Sequence, residues 1–331
     1  MNGNRMSGHF ISVALCTYEG DRHLQAYLES LASQTRIPDE LVICDDRSQD
    51  KTIEIVRCFI SKAPLSVRFT INQHNLGTTK NFEKAIGLCR GNIIALADQD
   101  DIWRIDKLMQ IEGAFSASPK VGIVFSDAEM VDDDLQPLGY SLWQSLKFGS
   151  SEQKRVVQGN AIDVLLKHNV VAGATLAFRA EFKDLVLPIP CDWMHDGWIA
   201  LLLAAFSDFS ILCDPLVKYR QHSRNQIGAM KKKFSEQLAR AQQEEPSIYA
   251  AYYNQLVALK ERILKFGNSS HDRTILKIGA KMSHLLARGN MPQNRLNRLS
   301  RVIRELITLR YYRYSNGGHS IAKDLFLYTK K

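Results

Sequence analysis

The first 130 residues alternate short apolar runs with segments of helical periodicity, and this alternation limits the possible folds more than any other feature. The apolar runs have the length of buried strands, and the segments between them are long enough to form helices. Strands are predicted near residues 10–15, 41–44, 67–71 and 93–97, with helices near 24–31, 52–60 and 82–89. Strands joined by such helices form right-handed βαβ units. The sequence therefore predicts an α/β fold with a mostly parallel, doubly wound sheet.

Polar residues follow three of these strands directly. They are Thr17, Tyr18 and Glu19 after the first strand, Asp45 and Asp46 after the second, and Asp98, Gln99, Asp100 and Asp101 after the fourth. In a parallel sheet these segments share one edge, where open α/β sheets bind their ligands. The first strand is not followed by a G-x-G-x-x-G or G-x-x-x-x-G-K-[ST] loop, which argues against a dinucleotide site or a P-loop.

The carboxylates of Asp98, Asp100 and Asp101 are crowded into one short stretch of chain. Like charges so close together repel one another, and a hard divalent cation such as Mg²⁺ or Mn²⁺ relieves that repulsion. The alternative is a solvated acidic turn in which Asp101 caps the following helix. Spacing alone leaves both interpretations open.

A second acidic candidate, Asp196, precedes the apolar run 199–206, which is predicted to be a buried helix. An acid in a first helical turn is stabilised by the helix dipole, so a capping role is one explanation. A role as general base is the other. Trp193 and Trp198 flank this acid, and both core packing and stacking on a sugar fit their chemistry.

Positive charge is concentrated in the C-terminal third of the chain. Residues 231–331 hold 20 lysines and arginines against 7 acids, whereas the first 230 residues hold 23 against 28. The segment 295–310 is predicted to be an amphipathic helix, with leucine, isoleucine and valine on one face and arginines on the other. Packing against the main domain is one interpretation, and contact with an anionic membrane surface is the other. No motif typical of nucleic-acid binding is present, so nucleic acid is not an expected partner.

Cysteine usage and hydropathy indicate the compartment. The six cysteines form no C-x-x-C pair, and several lie in apolar runs, which is typical of reduced thiols in a cytoplasmic protein. The N-terminus lacks the pattern of an export signal, and no apolar run approaches the roughly 20 residues that cross a bilayer. We therefore expect a cytoplasmic protein, and the positive charge of its C-terminal third favours peripheral contact with the inner face of the cytoplasmic membrane.

Six motifs in order resemble those of the family 2 glycosyltransferases, which are inverting nucleotide-sugar enzymes with the Rossmann-like GT-A fold. They are Thr17-Tyr18-Glu19, Asp45-Asp46-Arg47-Ser48-Gln49-Asp50, Asn75-Leu76-Gly77, Asp98-Gln99-Asp100, His195-Asp196-Gly197-Trp198 and Tyr219-Arg220-Gln221-His222. The run 98–103 followed by Lys107-Leu108 resembles a bacterial subgroup often described as rhamnosyltransferases. Two positions depart from the pattern, since Glu19 stands where the family often has Asn and Gly197 where it often has a bulky residue.

The resemblance covers residues 10–228. It implies a GT-A catalytic domain over residues 1–228, followed by a basic helical region over residues 229–331 that packs on the domain or meets a membrane surface. It also implies a role for each motif residue. The donor would be bound by Thr17, Tyr18, Glu19, Asp46, Asn75 and Asp98, and Asp46 would accept from the pyrimidine N3–H. Mg²⁺ or Mn²⁺ would be held by Asp98, Asp100 and His222. The general base would be Asp196, and the residues facing the acceptor would be Asp101, Trp193 and Trp198.

The function implied is transfer of a sugar from a UDP- or dTDP-sugar, with dTDP-rhamnose a candidate, to a hydroxyl of a glycan or lipid-linked glycan. Such a reaction belongs to assembly of a bacterial surface polysaccharide such as O-antigen, capsule or cell wall. Two alternatives remain. A sugar-phosphate nucleotidyltransferase would typically carry a G-x-G-T-R-like loop after the first strand, unlike residues 17–20 here. A non-catalytic nucleotide-sugar-binding scaffold would not need the acids at positions 46, 98, 100 and 196.

Overall fold

A computed structural model of the chain describes residues 8–222, 246–292 and 294–327. The chain divides into two compact units, one formed by residues 1–159 and 171–229 and the other by residues 160–170 and 230–331. The boundary predicted at residue 228 falls in the stretch 223–245, outside the described residues.

The first unit is built on one sheet, in which the described residues form nine strands. Their bounds are β1 Ile11–Thr17, β2 Glu40–Asp45, β3 Ser66–Ile71, β4 Ile93–Asp98, β5 Ile102–Trp103, β6 Val121–Val131, β7 Pro137–Ser141, β8 Leu176–Arg179 and β9 Asp208–Arg220. The strand order is β3-β2-β1-β4-β8-β6-β9-β5, and β7 pairs with β6 at the side.

Parallel pairing dominates the half of the sheet that the sequence predicts best. The strands β3, β2, β1 and β4 are all parallel, and β6 pairs with β9 in parallel. Antiparallel pairs join β8 to both β4 and β6, β7 to β6, and β5 to β9. The predicted α/β fold with a mostly parallel core is therefore confirmed, and the complete sheet is mixed.

Helices cover both faces of this sheet through apolar stripes. Their bounds are α1 Leu24–Ala32, α2 Thr52–Ile60, α3 Thr78–Leu88, α4 Lys107–Ala117, α5 Leu142–Ser145, α6 Ser150–Arg155, α8 Lys183–Val186 and α9 His195–Phe206, with α7 Ala161–Leu165 in the second unit. Leu24, Leu28 and Leu31 on α1 are buried, as their spacing predicts. Helix α9 is buried along most of its length, which explains why its sequence is apolar on all sides.

The second unit is helical where it is described. Its longer helices are α10 Pro246–Phe266, α11 Asp272–Gly289 and α12 Arg295–Ile307, followed by α13 Arg310–Tyr314 and α14 Gly318–Ala322. Val302 of α12 packs with Met291 and Tyr311 in a small buried cluster. Among the described residues, no helix is both long enough and apolar enough to span a membrane.

The orientation of α12 differs from the amphipathic pattern predicted for it. Arg298 is buried, with its Nε donating to the carbonyl of Pro292 at 3.0 Å. Leu296 and Ile307, by contrast, are each 77% exposed. The helix packs through the edge that carries Arg298 and Val302, because Arg298 finds carbonyl acceptors there, and its apolar ridge is left in solvent.

Candidate active site

The three polar segments predicted to converge begin at neighbouring positions of one sheet edge. Parallel register places Thr17 opposite Asp45, and Cys16 opposite Asp98. The segments that follow β1, β2 and β4 therefore leave the sheet side by side. This is the edge at which open α/β sheets bind ligands.

Thr17 shapes the loop after β2. Its side chain is 1% exposed, and its Oγ1 donates to Asp45 Oδ2 at 2.8 Å. The same carboxylate accepts from the backbone N–H and the hydroxyl of Ser48 at 2.8 and 2.7 Å. The structure thus places Thr17 beneath the site, where its hydroxyl is occupied by Asp45.

Gln99 ties the loop after β1 to the end of β4. Its Oε1 accepts from the backbone N–H of Tyr18 at 3.0 Å, and its Nε2 donates to the Tyr18 carbonyl at 2.8 Å. A Cβ on Gly20 would lie 2.1 Å from Gln99 Oε1, so any larger residue there would displace this amide from its present position. The arrangement leaves the Tyr18 ring 50% exposed at the sheet edge.

Glu19 joins the first polar segment to the second. Its backbone has a φ of 47°, and its N–H donates to Ser48 Oγ at 3.0 Å. Its Oε1 accepts from the backbone N–H of Gln49 at 2.8 Å. The carboxylate that stands where the family often has Asn therefore serves the neighbouring loop.

Asp46 holds the segment that leads into α3. Its Oδ1 accepts from Asn72 Nδ2 at 2.8 Å and from the Leu76 N–H at 2.7 Å, and its Oδ2 accepts from the Gly77 N–H at 2.9 Å. The side chain is 3% exposed. Asn75, which is exposed, approaches the Asp46 carbonyl at 3.4 Å. Asp46 and Asn75 are thus brought together on one loop.

The acids after β4 carry unbalanced negative charge. Burial raises the pKa of Asp98 to about 7, and the charges of Asp100 and Asp196 add to that effect. Burial also raises the pKa of Asp101 well above its ordinary value, followed by the charges of Asp100 and Asp98. Asp101 is 1% exposed, and its Oδ2 is buried without a hydrogen-bond partner among the described residues.

Asp101 is neither a helix cap nor accessible to an acceptor. Helix α4 begins at Lys107, and the residue before it is Asp106. Asp101 instead accepts from the backbone N–H of Arg220 through Oδ1 at 3.0 Å. Both hypotheses raised for this carboxylate are therefore corrected by its burial at the base of the acidic segment.

Lys107 is a buried cation beneath the acids. Its Nζ donates to the Ala174 carbonyl at 2.6 Å and lies 3.7 Å from the centre of the Trp103 ring. Burial lowers the pKa of Lys107 well below its ordinary value, although the charges of Asp101 and Asp98 oppose that shift. The lysine therefore lies close enough to Asp101 and Asp98 to interact with their charges from the interior side.

The end of β9 supports the acidic segment from the other side. Arg220 is buried, its Nε donates to the Asp100 carbonyl at 2.8 Å, and its guanidinium also donates to the Asp133 carbonyl. His222 Nε2 lies 2.8 Å from Asp100 Oδ2. The carboxylate of Asp133 pairs with His23 Nε2 at 2.9 Å. The structure thus brings His222 and Asp100 into direct contact.

Asp196 is the second residue of α9, and the residue at the N-cap position is Met194. Its Oδ1 accepts from the N–H of Gly197 at 2.6 Å, and the side chain is half-buried. The charge of Asp196 contributes to the raised pKa of Asp98. Asp196 therefore faces the same acidic region from a different element of the fold.

The two tryptophans around Asp196 differ in exposure. Trp198 is fully buried, and its indole N–H donates to the Val186 carbonyl at 2.8 Å. The structure therefore places Trp198 in the core and not on a surface that an acceptor could reach. Trp193 is 8% exposed, and its carbonyl accepts from Thr79 Oγ1 at 2.8 Å.

Gln99, Lys107 and Arg220 organise the site, although none was predicted to be a site residue. Gln99 and Arg220 occur inside predicted motifs, but the spacing of a motif does not show whether a residue holds the protein backbone or contacts a ligand. Lys107 follows Asp106 at the start of a helix, where a lysine normally faces solvent. It is buried because the segment before β8 packs over it, and the Ala174 carbonyl in that segment accepts from its Nζ.

The carboxylates of this region are suitable ligands for a divalent cation, although the described residues do not form a complete metal site by themselves. Within residues 8–222, 246–292 and 294–327, no group of three or more His, Cys, Asp or Glu side chains is arranged to hold a metal. Mg²⁺ is commonly bound through one or two carboxylates together with substrate phosphates. Burial raises the pKa of Asp98 and the charges of Asp100 and Asp196 add to that effect, so a bound cation would favour the ionised carboxylate.

A family model covers the part of the chain that carries the polar segments after β1, β2 and β4. Residues 12–164 match the family model described as Glycosyl transferase family 2.

The chain is similar in sequence to several curated proteins, some of which have a substrate in their name. An uncharacterized glycosyltransferase of Nostoc is 28% identical, over 70% of this chain and 71% of the relative. The dTDP-rhamnosyl transferase RfbG of Shigella flexneri is 26% identical, over 65% of this chain and 74% of the relative. A third, from Escherichia coli, is the UDP-Glc:alpha-D-GlcNAc-diphosphoundecaprenol beta-1,3-glucosyltransferase WfgD, 26% identical over 39% of this chain and 49% of the relative. The match to mycobacterial relatives of unassigned function spans 59% of their length.

Solved structures show the same fold at low identity. TarS from S. aureus in complex with UDP has a TM-score of 0.54 at 17% identity, covering 84% of this chain and 71% of TarS. The mannosyltransferase PcManGT from Pyrobaculum calidifontis in complex with GDP-Man and Mn²⁺ has a TM-score of 0.55 at 16% identity, covering 96% and 86%. The GT-A fold predicted from the motifs is thereby confirmed.

Proposed function

We propose that this chain is an inverting glycosyltransferase that moves a sugar from a UDP- or dTDP-sugar to a hydroxyl of a glycan or lipid-linked glycan. The dTDP-rhamnosyl transferase among the relatives supports a dTDP-sugar, and the glucosyltransferase WfgD supports a UDP-sugar. Such a reaction serves the assembly of a bacterial surface polysaccharide such as O-antigen or capsule.

One observation carries the proposal. The acids at the end of β4 and Asp196 at the start of α9 act on the same point, because the charges of both Asp100 and Asp196 raise the pKa of Asp98. A donor diphosphate needs positive charge on one side, and the attacking hydroxyl needs a base on the other. The carboxylates at the end of β4 would hold the cation that supplies the positive charge, and Asp196 would be the base.

The donor base is assigned to the loops after β1 and β2. The Tyr18 ring is exposed at this edge, and Glu19 links the two loops. Asp46 fixes the segment with Asn75, and its Oδ2 accepts from one backbone N–H. Because an ionised carboxylate oxygen has more than one lone-pair site, Asp46 can also accept from the N3–H of a pyrimidine. Thr17 contributes by holding Asp45.

The diphosphate is assigned to Asp98 and Asp100, which would hold Mg²⁺ or Mn²⁺. When bound, such a cation supplies a Lewis acid that neutralises the departing diphosphate. His222 orients the Asp100 carboxylate through its contact at 2.8 Å. Arg220 holds the backbone of the same residue through the Asp100 carbonyl.

Asp196 is assigned as the base that receives the proton of the acceptor hydroxyl. The hydroxyl oxygen attacks the anomeric carbon as the bond to the diphosphate breaks, so the configuration inverts in one displacement. The Gly197 N–H fixes Asp196 Oδ1, which leaves Oδ2 to take the proton. Trp193, two residues before the start of α9, is the aromatic residue proposed to border the acceptor.

The acceptor is proposed to lie at the inner face of the cytoplasmic membrane, where the protein is peripheral. The excess of lysine and arginine over acids in residues 231–331 fits a surface of anionic lipid. This proposal rests on charge and on the lipid-linked substrate in the name of the relative WfgD.

A donor panel tests the proposed reaction. The purified chain is incubated with dTDP-rhamnose, UDP-glucose, UDP-GlcNAc and GDP-mannose, with and without Mg²⁺ or Mn²⁺, and the released products are separated by anion exchange. We expect a nucleoside diphosphate from one donor class, and only when the cation is present.

Other products would contradict the proposal. Pyrophosphate formed from a nucleoside triphosphate and a sugar phosphate would instead identify a nucleotidyltransferase. Tight donor binding without any turnover, in the presence of membrane lipid extract as acceptor, would identify a non-catalytic scaffold.

A further inference from the structure

The apolar ridge of α12 is exposed in the described structure. Leu296 and Ile307 are each 77% exposed, and Leu299 and Ile303 are each 45% exposed. Their spacing at i, i+3, i+7 and i+11 places all four on one side of the helix. A contiguous apolar face of this kind marks an interaction site on most soluble proteins.

The opposite edge of α12 is firmly packed, so the exposed ridge is not a frayed helix. Val302 is 3% exposed within the cluster formed with Met291 and Tyr311. Arg298 donates to the carbonyls of Pro292 and Leu325 at 3.0 and 3.2 Å. Phe326, directly after Leu325, is 79% exposed and adds an aromatic ring to the surface near this helix.

A basic cavity adjoins the ridge. It has a volume of about 700 Å³ and is lined by Arg301, Arg304 and Arg310 against one carboxylate, that of Glu305. Glu305 is already paired with His284 at 2.7 Å and with Arg310 at 3.1 Å. The cavity therefore offers guanidinium groups whose positive charge exceeds the negative charge within it.

Helical spacing joins the ridge to the cavity. Ser300 and Arg304 line the cavity and follow Leu296 and Ile303 around the helix by about 40° and 100°, at about 100° per residue. Apolar side chains and guanidinium groups thus occupy adjacent sectors of one helix. This is the arrangement of helices that lie in a bilayer surface, with arginines among the phosphates and leucines in the acyl boundary.

We propose that α12 and the cavity beside it form a docking surface for a bilayer that contains anionic phospholipid. The ridge inserts below the headgroups, and Arg301, Arg304 and Arg310 receive lipid phosphate. The charge complementarity of the cavity argues for this occupant over a second copy of the chain, whose C-terminal region carries the same positive charge. The inference rests on the membrane-side acceptor proposed above, but it does not depend on the transfer chemistry.

Vesicle flotation of the full chain tests the surface. The vesicles are phosphatidylcholine alone, or phosphatidylcholine mixed with phosphatidylglycerol. Leu296→Glu combined with Ile307→Glu should weaken binding to the mixed vesicles by about tenfold or more, because charge then enters the inserted face. The matched control, Leu264→Glu with Leu276→Glu, changes two leucines that are 60% and 73% exposed on α10 and α11, and should float like the parent.

Substitution of an arginine distinguishes recognition of the lipid headgroups from insertion of the apolar ridge. Arg304→Ala should lower binding to the mixed vesicles about fivefold and leave binding to phosphatidylcholine unchanged, because one surface arginine contributes about 1 kcal/mol to anionic lipid binding. Arg273→Ala, at an exposed arginine of α11, is the control. Melting curves followed by circular dichroism verify that every variant folds.

Three results would overturn the proposal. One is equal flotation of the ridge variant and its leucine control. Another is a parent dimer, seen by analytical ultracentrifugation, that the ridge variant dissociates while flotation is unchanged, since the ridge would then contact a second copy. The third is loss of vesicle binding in Arg273→Ala equal to that in Arg304→Ala. Release of nucleoside diphosphate without vesicles is measured in parallel, so failure of the transferase proposal is seen separately.

Discussion

Crowded carboxyl groups at the end of β4 determine the charge state of the candidate site. Burial and the neighbouring acids raise the pKa of Asp98 to about 7, and the buried Lys107 only partly offsets that effect. Groups whose pKa values are strongly shifted by burial and by charge partners occur often at functional sites. Arg220 holds the acids in place, because its Nε donates to the Asp100 carbonyl and its backbone N–H donates to the Asp101 carboxylate.

Asp46 provides the first test at this scale. Asp46→Asn should lower the free energy of unfolding by about 1–3 kcal/mol, because the amide cannot accept from all the buried donors that the carboxylate now serves. Affinity for the nucleoside diphosphate should fall as well, since the segment 75–77 loses its anchor. Urea denaturation and calorimetric titration measure the two effects. Asp134→Asn, in an exposed turn, is the control, and an equal stability of both variants would contradict this role.

His195 provides a test by pH. Its ring is 4% exposed and stacks on Phe82 with centroids 3.9 Å apart, and neither ring nitrogen has a hydrogen-bond partner among the described residues. Burial lowers the pKa of His195 below its ordinary 6.5. The unfolded chain therefore takes up the proton first as the pH falls, so stability is retained above pH 6.5 and lost below it.

The contribution of His195 to the pH dependence of stability can be measured by comparing the parent chain with His195→Phe. Between neutral pH and one unit below the ordinary histidine value, the loss from His195 is at most about 1.4 kcal/mol, the value reached when the folded ring stays neutral. His195→Phe keeps the stacked ring and removes the titration, so its unfolding free energy should change less with pH than that of the parent. Denaturant titrations at both pH values make the comparison, and parallel pH profiles would refute the assignment.

At the scale of elements, the loop after β1 depends on a glycine that faces an amide. Gly20→Ala would place a Cβ 2.1 Å from Gln99 Oε1 and displace the side chain that binds both backbone groups of Tyr18. We expect a loss of about 1–3 kcal/mol in stability and weaker donor binding. Gly113→Ala in α4 is the matched control, because a Cβ there meets no atom within 4 Å.

The two glycine variants should shift stability in opposite directions. Gly113→Ala should raise the free energy of unfolding by about 0.5–1 kcal/mol, since alanine restricts the unfolded chain and favours the helix. Differential scanning calorimetry measures both variants. If Gly20→Ala were as stable as Gly113→Ala and bound donor as the parent does, the contact between Gln99 and the loop would have no functional role.

The elements that the sequence predicts well are those with local patterns. The strands β1 to β4 and the helices between them agree with the predicted segments to within a few residues, because each carries its own periodicity. Segment 140–157 has weak periodicity in the sequence, and it contains the short helices α5 and α6. Trp143 on α5 and Phe148 between the two helices are buried. Such short helices lack enough turns to show a period.

The side of α12 that packs could not be read from periodicity. The period correctly separates leucines from arginines, but it does not say which face meets the protein. Arg298 is buried because the carbonyls of Pro292 and Leu325 accept from it, and these acceptors come from segments that the helix meets only after folding. Trp198 illustrates the same limit, since its indole donates to Val186 in the core.

At the scale of the whole molecule, the candidate site is assembled from segments far apart in the chain. Thr17, Asp46 and Asp98 follow three parallel strands, and the parallel order predicted from the sequence was sufficient to bring them together. Asp196 and His222 come from the second half of the first unit, where the pairing of β8 and β9 is not visible in the sequence. Their place beside the acids was expected from the family motifs and not from periodicity.

The central claim is that Asp196 accepts the proton of the acceptor hydroxyl while the acids of β4 bind the donor. The most direct test measures sugar transfer and donor affinity in the same preparation of Asp196→Asn, using membrane lipid extract as acceptor. The account predicts a fall in transfer rate of about 10²–10⁴-fold with donor affinity unchanged, because the amide cannot take up the proton. Transfer at the rate of the parent chain would contradict it.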